Sequence, residues 1–572
     1  MKTQAKTRLV FVGGLNKDRI GGNCHLLEHQ SSDDKTVRLM FDLGSVFPHA
    51  SSGFSNAYPD VRAFFDRINP KTETFDKAQK PVDALFITHA HQDHIGALIS
   101  YAKMGYQLPP IYSSKTTNNV IRLFFAKEGL EPPETVNVER EKPVRFQDCV
   151  EVEAFDVSHS AVDALGFHSL TLDKGEPVAA VVHNGDFSTD EQMPIGQSFS
   201  KKDYLSLIKR KPAPQTIFLF DSTSVENSVL KRIGFEQAVQ NTLDVCLQNQ
   251  ECNIIVSPVI TGSFNNAAID FEVAKRLKTK VFLDGYGLKI FKDALKLSGH
   301  TGFDELIYHG NMQKYLKDES VSLKYIVCTG AFGQGLNEYK HNIGISPTSA
   351  IWLSSAAKMA LDLHPDLKVS KKCLFLMRQH FIEEICSNRG NELCHRLAAQ
   401  GATVVIAPSK NKIGDFTQVQ MQDSGHIGFD EMCSLAKDIQ TIAENMVIVP
   451  VHGSNAQRKE MQRLADLCNV QSVLVSNDEG LEIAGGELKI CAETQKSGWY
   501  GETLVFPKDS SQTAGVQIWK LGENDVPLEK IFEYQNVKEQ NFPRVVAPVK
   551  NKRSRPRKQK RGFQNPKSGY ER

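Results

Sequence analysis

No stretch of eighteen or more apolar residues occurs in this 572-residue chain, so a membrane-spanning helix is not expected. Eleven cysteines are scattered singly, with no CxxC pair and no regular spacing, which reads as reduced thiols in a cytoplasmic protein rather than a disulfide framework. The first residues, MKTQAKTRLV, lack the apolar core and cleavage site of a secretory leader. The glycine-rich GGLNKDRIGGN, Gly13–Asn23, lacks GK[ST], which excludes a phosphate-cradling P-loop and leaves a turn between strands. There is no solenoid-type repeat.

Net charge is also almost absent, at +1, yet it is unevenly spread. Between Lys550 and Arg572 ten Lys or Arg face one acid, Glu571, a local balance of +9 that leaves about −8 elsewhere. That tail has almost no apolar residues and two prolines, so it is expected to be disordered and to suit a polyanion through phosphate charge.

The length calls for two to four domains. RLVFVGG, CHLLEH, VRLMFDLG and DALFITHA are short apolar runs ended by Gly or a polar residue, and HIGALISYAKMG has helical spacing. VEAFDVSH, PVAAVVHNGDF and QTIFLFDST are strands that each end in a residue with catalytic potential. Strands alternating with helices point to an α/β layered fold. From about Asp221 to about Ala407 a second α/β unit is expected, built on CNIIVSPVI, KTKVFLDG, KYIVCTG and KKCLFLM. Chemistry-bearing segments return with DSGHIGFDE and NMVIVPVHGS, so the second unit looks inserted into the first. A β-rich stretch follows, before the basic tail.

FITHAHQDHIGAL carries the strongest signal. His and Asp are common ligands for zinc-like ions. His89 and His91, two apart on a strand-to-helix loop, can converge on one ion, leaving Asp93 and His94 to face a second. Further ligands are expected at distant strand ends: His159 in FDVSHSAVDALG, Asp186 in HNGDFSTD and His452 in VPVHGS. His25, His29, His49, His168 and His183 have no such support and read as structural or exposed.

In this order the motifs resemble those of the metallo-β-lactamase superfamily, with Asp42 in FDLG matching the first of them. The resemblance implies an αββα sandwich. It also implies two metal sites: His89, His91 and His159 for one ion, Asp93, His94 and His452 for the other, and Asp186 bridging. Asp42 would orient the ligand loop rather than bind metal. The 266 positions between Asp186 and His452 resemble the β-CASP group of nucleic-acid-processing enzymes, in which a domain is inserted at this point. Asp221 matches that group's first motif and His426 its last. Within the group the chain is most similar to ribonuclease J, on GGLNKDRIGGN, FDLGSVFP, THAHQDHIGAL, SHSAVDALG, NGDFSTD, FDSTSVEN, CTGAFGQ, SGHIGFDE and IVPVHGSNAQR.

That likeness implies a lactamase-type domain in two parts, 1–220 and 408–470, around a β-CASP domain at 221–407. A small C-terminal β-rich domain at 471–546 and the tail at 547–572 complete the chain. The expected activity is hydrolysis of single-stranded RNA, as a 5′-to-3′ exonuclease, an endonuclease or both, by a two-metal hydroxide mechanism. Two zinc ions per chain are implied, and manganese also suits mixed oxygen and nitrogen ligation. Asp93, Asp186, Asp221 and His426 are the expected catalytic groups, with Ser424 and His426 touching substrate. A dimer or tetramer is implied, as is a cytoplasmic location. Three segments depart from the ribonuclease J pattern. VITGSFNNAAID replaces an Asn-x-His-Arg element, CTGAFGQGLNE replaces CTGxxGEP, and LFLMRQHFIEE replaces a Ser- and Pro-rich stretch. The rival readings are small thioester or lactam hydrolysis, DNA cleavage, and an inactive RNA-binding subunit.

Overall fold

The strand Thr216–Asp221, TIFLFD, is buried along its whole length, and its two faces enter different cores. Ile217 and Leu219 point one way, Phe218 and Phe220 the other, as the two-residue period of a strand requires. A strand buried on both faces needs a layer on each side. In the computed structural model of the protein those layers are a second sheet and a set of helices. The structure describes residues 4–15, 20–46, 56–68, 72–225, 232–329, 369–378, 393–408, 414–422, 424–443, 445–477, 479–492, 499–505, 515–521 and 527–535. His49, the CTGAFGQGLNE segment beyond Thr329 and the basic tail lie outside these residues.

Thr216–Asp221 lies in a seven-stranded sheet, between Glu176–His183 and Met446–Val451, both parallel to it. An eight-stranded sheet faces it, centred on Lys6–Gly13, Cys24–Gln30 and Thr36–Phe41. Leu9, Phe11, Leu39 and Phe41 of one sheet meet Phe167, Val181, Leu219 and Val449 of the other in the shared core. Helices Lys201–Arg210, Phe429–Gln440 and Asn455–Leu467 cover the outside of the seven-stranded sheet through Tyr204, Leu207, Met432 and Met461. Helix Lys115–Lys127 covers the other sheet through Val120, Ile121 and Phe125. The result is the expected αββα sandwich.

Between Asp221 and Met446 the chain builds a separate six-stranded, all-parallel sheet. Its strands, in spatial order, are Val281–Asp284, Lys324–Thr329, Ile254–Val259, Cys373–Met377, Thr403–Ile406 and Thr417–Gln418. Helices Phe264–Arg276 and Tyr286–Ser298 lie on it. Their apolar residues, among them Phe264 and Phe291, share one core with the helix Lys115–Lys127 of the sandwich. Polar contacts cross the same boundary: Asn119 Nδ2 donates to Ser298 Oγ at 3.0 Å, and His300 Nε2 lies 2.7 Å from Asp163 Oδ2.

Three local features differ from the sequence expectation. HIGALISYAKMG does not form one helix; Gln92–Ile95 and Leu98–Lys103 are separate, because Ala97 N–H donates to Leu43 O at 3.2 Å. The strand Thr417–Gln418 carries the inserted sheet past Ala407. The β-rich stretch after 471 divides. Glu479–Ala484 pairs antiparallel with Lys6–Gly13 and so extends the eight-stranded sheet, with Lys6 and Arg8 both ion-paired to Glu482. Only Trp499–Val505, Gly515–Leu521 and Pro527–Gln535 form a smaller sheet, which borrows Asn56–Pro59. Within EGLEIA, Leu481 and Ile483 point inward and complete the inter-sheet core, with the half-buried Glu482 between them on the opposite face.

Candidate metal centre

The chemistry-bearing residues come together where strands of both sheets end. His89 follows Ala84–Phe86, His159 follows Val150–Asp156, Asp186 follows Glu176–His183, and His452 follows Met446–Val451. His91 is the N-cap of the one-turn helix Gln92–Ile95, which carries Asp93 and His94. Sharp local geometry is needed to aim these side chains inward. Asp42 and His452 both sit in the left-handed region, at φ 59° and 51°, a strained conformation that functional sites tolerate. At Gly44 the backbone approach is so close that a Cβ would lie 1.6 Å from Asp93 O.

Two donor sets result. The ligand atoms of His89, His91 and His159 lie within 4.8 Å of one another, and so do those of Asp93, His94, Asp186 and His452. Asp186 Oδ2 stands between the sets, 4.0 Å from His89 Nε2 and from His159 Nε2, 3.3 Å from His94 Nε2 and 3.2 Å from His452 Nε2.

Each histidine has one nitrogen committed elsewhere, which assigns its tautomer and leaves the other facing the centre. His94 Nδ1–H donates to Asp42 Oδ2 at 2.8 Å, and His159 Nδ1–H to Gly425 O at 2.7 Å. Thr223 Oγ1 donates to His452 O and so accepts from His452 Nδ1–H, both at 2.7 Å. Thr88 Oγ1 donates to Asp42 and lies 3.0 Å from His89 Nδ1. His89 Nε2 and Asp186 Oδ1 are buried without a hydrogen-bond partner. Buried polar atoms are nearly always bonded, so this donor set of imidazoles and carboxylates fits divalent cations.

Electrostatics separate the two sets. Burial pushes His91 down to about 4 and His159 to about 3, and holds His89 well below the usual imidazole value, which favours the neutral form that a metal ligand needs. Burial also opposes charge on His94 and His452, but the surrounding carboxylates prevail and hold both well above the imidazole range. Asp93 and Asp186, which burial alone would raise, are held below the carboxylate range by those imidazoles. Cations bound here would replace protons on His94 and His452.

Beside both sets lies a second polar pair. His426 Nδ1–H donates to Asp221 Oδ2 at 2.5 Å, and the His426 ring stands 5.1 Å from that of His159 and 5.6 Å from that of His452. Burial opposes its charge, yet Asp221 raises His426 above the ordinary value. Ser424 Oγ accepts from His426 N–H at 3.2 Å and touches Ser224 Oγ at 2.8 Å, so its hydroxyl shapes the turn that presents His426.

All ten residues singled out in the sequence as ligands, catalytic groups or substrate contacts therefore lie in or beside one cluster, and Asp42 supports it from behind. His25 and His183, 2.9 Å apart, are buried behind it, His29 bonds Thr7, and His168 is buried in the seven-stranded sheet. Sequence reasoning missed Asn23, which donates to Asp93 O at 3.1 Å, Thr88 and Thr223, and Ser263 of the inserted unit, 3.3 Å from His91. Asn23 ends the glycine-rich turn and Thr223 follows Asp221 in FDST, so both stood in motifs already marked.

The family model for the β-lactamase superfamily domain matches residues 54–207, which hold HAHQDH, His159 and Asp186. The chain is 23% identical over 505 residues to ribonuclease J of Synechocystis sp., covering 86% of this chain and 68% of the relative. It is 28% identical over 526 residues to ribonuclease J of Mycobacterium tuberculosis, covering 90% and 82%. A crystal structure of a protein of unknown function from Enterococcus faecalis V583 shares the fold at TM-score 0.50 and 14% identity, covering 84% of this chain and 100% of that one.

Proposed function

We propose that this chain, a ribonuclease J-like member of the metallo-β-lactamase superfamily, hydrolyses RNA phosphodiester bonds at the cluster around Asp186. The observation that carries the reading is the pair of donor sets with that carboxylate between them, beside a histidine hydrogen-bonded to its own aspartate. His89, His91 and His159 would hold one divalent ion, Asp93, His94 and His452 the other, and Asp186 both. Two zinc ions, or manganese, held there would supply an acidic water for attack and positive charge for the phosphoryl oxygens.

The protein's own groups do the rest. Asp93, the most exposed of the acids at 29%, reaches the open side of the cluster, where it can orient the attacking water. His426, with Nδ1–H committed to Asp221, presents Nε2 to the substrate. Its raised pKa suits proton donation to the leaving oxygen or a hydrogen bond to phosphate. Asp221 also lies 3.5 Å from His452 Nδ1, so one carboxylate orients two histidines. Ser424 is the proposed neighbouring substrate contact.

Single-stranded RNA would run between the sandwich and the inserted unit, with the basic tail raising its local concentration in a salt-dependent way. We further propose a homodimer or homotetramer. Among the described residues no helix is long and apolar enough to cross a membrane, and ten cysteines are free thiols, which supports a cytoplasmic protein.

The test uses end-labelled RNA carrying a 5′-monophosphate, a 5′-triphosphate or a 5′-hydroxyl, and single-stranded DNA, with parent protein and His91→Ala. Metal-dependent cleavage of RNA by the parent and its loss in the variant are expected. Absence of cleavage at every end chemistry would sink the ribonuclease reading, and cleavage of DNA alone would replace it. Mononucleotide release confined to the monophosphate would identify 5′-to-3′ exonuclease action.

A further inference from the structure

We infer that Ser263, carried by the inserted unit, is a positioning residue for the ligand histidine His91, so that the metal centre is completed across the boundary between the two units. The inference rests on the metal-centre reading above and adds a residue that the metal-binding motifs do not contain.

His91 Nδ1 faces His159 Nε2 at 3.1 Å, which makes Nδ1 the atom turned to the first donor set. Its other nitrogen, Nε2, lies 3.3 Å from Ser263 Oγ. Ser263 is itself buried and touches Ser160 Oγ at 3.1 Å. A hydroxyl that accepts from Nε2–H and donates to Ser160 would fix the ring's tautomer and rotation, the part that Asp42 plays for His94 and Thr223 for His452.

The residues around Ser263 are built for this close approach. Gly262 has φ +99°, and a Cβ there would lie 2.8 Å from His91 Cδ2. Asn265, also buried, holds the neighbouring ligand loop: its Nδ2 donates to His159 O at 3.0 Å and its N–H to Ser160 O at 3.0 Å. Its Oδ1 accepts from Ile195 N–H at 3.1 Å. One turn at the start of helix Phe264–Arg276 therefore grips both His91 and the His159 loop.

That helix is braced from the far side. Arg378, fully buried at the end of strand Cys373–Met377, pairs with Asp270 and donates to Asn266 O at 3.3 Å, while Tyr325 Oη–H donates to Asp270 Oδ1 at 2.8 Å. Gly262, Ser263, Asn265 and Asn266 belong to VITGSFNNAAID, and Arg378 to LFLMRQHFIEE. Two of the three segments that depart from the ribonuclease J pattern thus meet in one brace, and its tip is Ser263.

The experiment measures zinc affinity of the full chain by competition with a chromophoric chelator, without RNA, for the parent, Ser263→Ala, the isosteric pair Ser263→Thr and Ser263→Val, and Asn119→Ala. The last removes a contact between the units but touches no ligand. Removing a partner that orients a ligand lowers metal affinity roughly 10-fold or more. That loss is expected for one ion in Ser263→Ala and Ser263→Val, with Ser263→Thr and Asn119→Ala near the parent. If Ser263→Ala does not melt cooperatively, the Thr and Val variants decide alone, since they differ only in the hydroxyl. Equal affinity in Thr and Val, or as large a loss in Asn119→Ala, would overturn the inference while leaving the centre in place. A parent that binds no zinc would instead overturn the metal-centre reading itself.

Discussion

Asp186 in the sandwich and Asp270 in the inserted unit are both buried carboxylates, and they resolve the same problem in opposite ways. Asp270 is answered from within: Arg378 and Tyr325 close around its carboxylate, although Arg378 Nε itself is left without a partner among the described residues. Asp186 faces four imidazole nitrogens at 3.2 to 4.0 Å through one oxygen, while the other has no partner. A carboxylate met by a fixed cation and a phenol is architecture, whereas a carboxylate oxygen left unbonded among converging imidazoles marks a place for a ligand. Burial lifts the Asp270 carboxyl above the usual range even beside Arg378, which is the desolvation cost that offsets the attraction in a buried ion pair.

The contrast can be broken at several points. Asp186→Ala should have the largest effect, with loss of both ions by elemental analysis and RNA cleavage at background, while cooperative unfolding is retained. Arg378→Met should do the reverse. It leaves a buried carboxylate uncompensated and should cost about 3–5 kcal/mol in denaturant unfolding. Adding Asp270→Leu to it should return stability to near the parent or above, and a double variant as unstable as Arg378→Met would refute the closed-pair reading. Asp42→Asn, which weakens the hold on His94, should lower metal affinity by roughly 10- to 100-fold without unfolding the protein.

The smallest effect lies at the boundary between the units. Asp163 raises His300 above its ordinary 6.5, and burial acts against this; Lys115 is the nearby charge that also opposes it. A histidine raised on folding contributes stability that is fully present below its unfolded pKa and lost as pH rises through the folded one. Asp163, which burial alone would raise, is instead lowered by His300 and Thr116, so its share persists above pH ~4. The pair is therefore strongest between about pH 4 and 6.5. Melts at pH 6 and 8 should show a smaller drop for His300→Asn than for the parent, and equal drops would remove this contact from the pH dependence.

What could be read from the sequence follows the same division. The residues of the donor sets sit at strand ends in a fixed order, so short apolar runs mark His89, His159, Asp186 and His452 in the sequence, and the distance to His452 announces an insertion. The closed cluster had no such signature. Asp270 and Arg378 are 108 positions apart, and Ser263 and His91 are 172 apart. Neither pair leaves a local period, and a lone Arg after an apolar strand looks like any strand end. The helix break at Gly96 and Ala97 is hidden for a related reason: helical spacing records which faces are apolar, but not that Leu43 O claims the Ala97 amide.

The pairing of Glu479–Ala484 with Lys6–Gly13 sets a timetable for synthesis. Roughly 470 residues must be added before one edge of Lys6–Gly13 finds this neighbour, which takes about half a minute to a minute and a half at ~5–20 residues per second. Open strand edges invite pairing with other chains, and lysines along an edge discourage it. Lys6 and Arg8 occupy that edge and end up on Glu482. While the chain is being made they would repel a second copy of themselves, and the same charges later select the correct strand. His452 emerges only shortly before that strand, so a nascent chain would stay without its full set of metal ligands until the sheet is nearly ready to close.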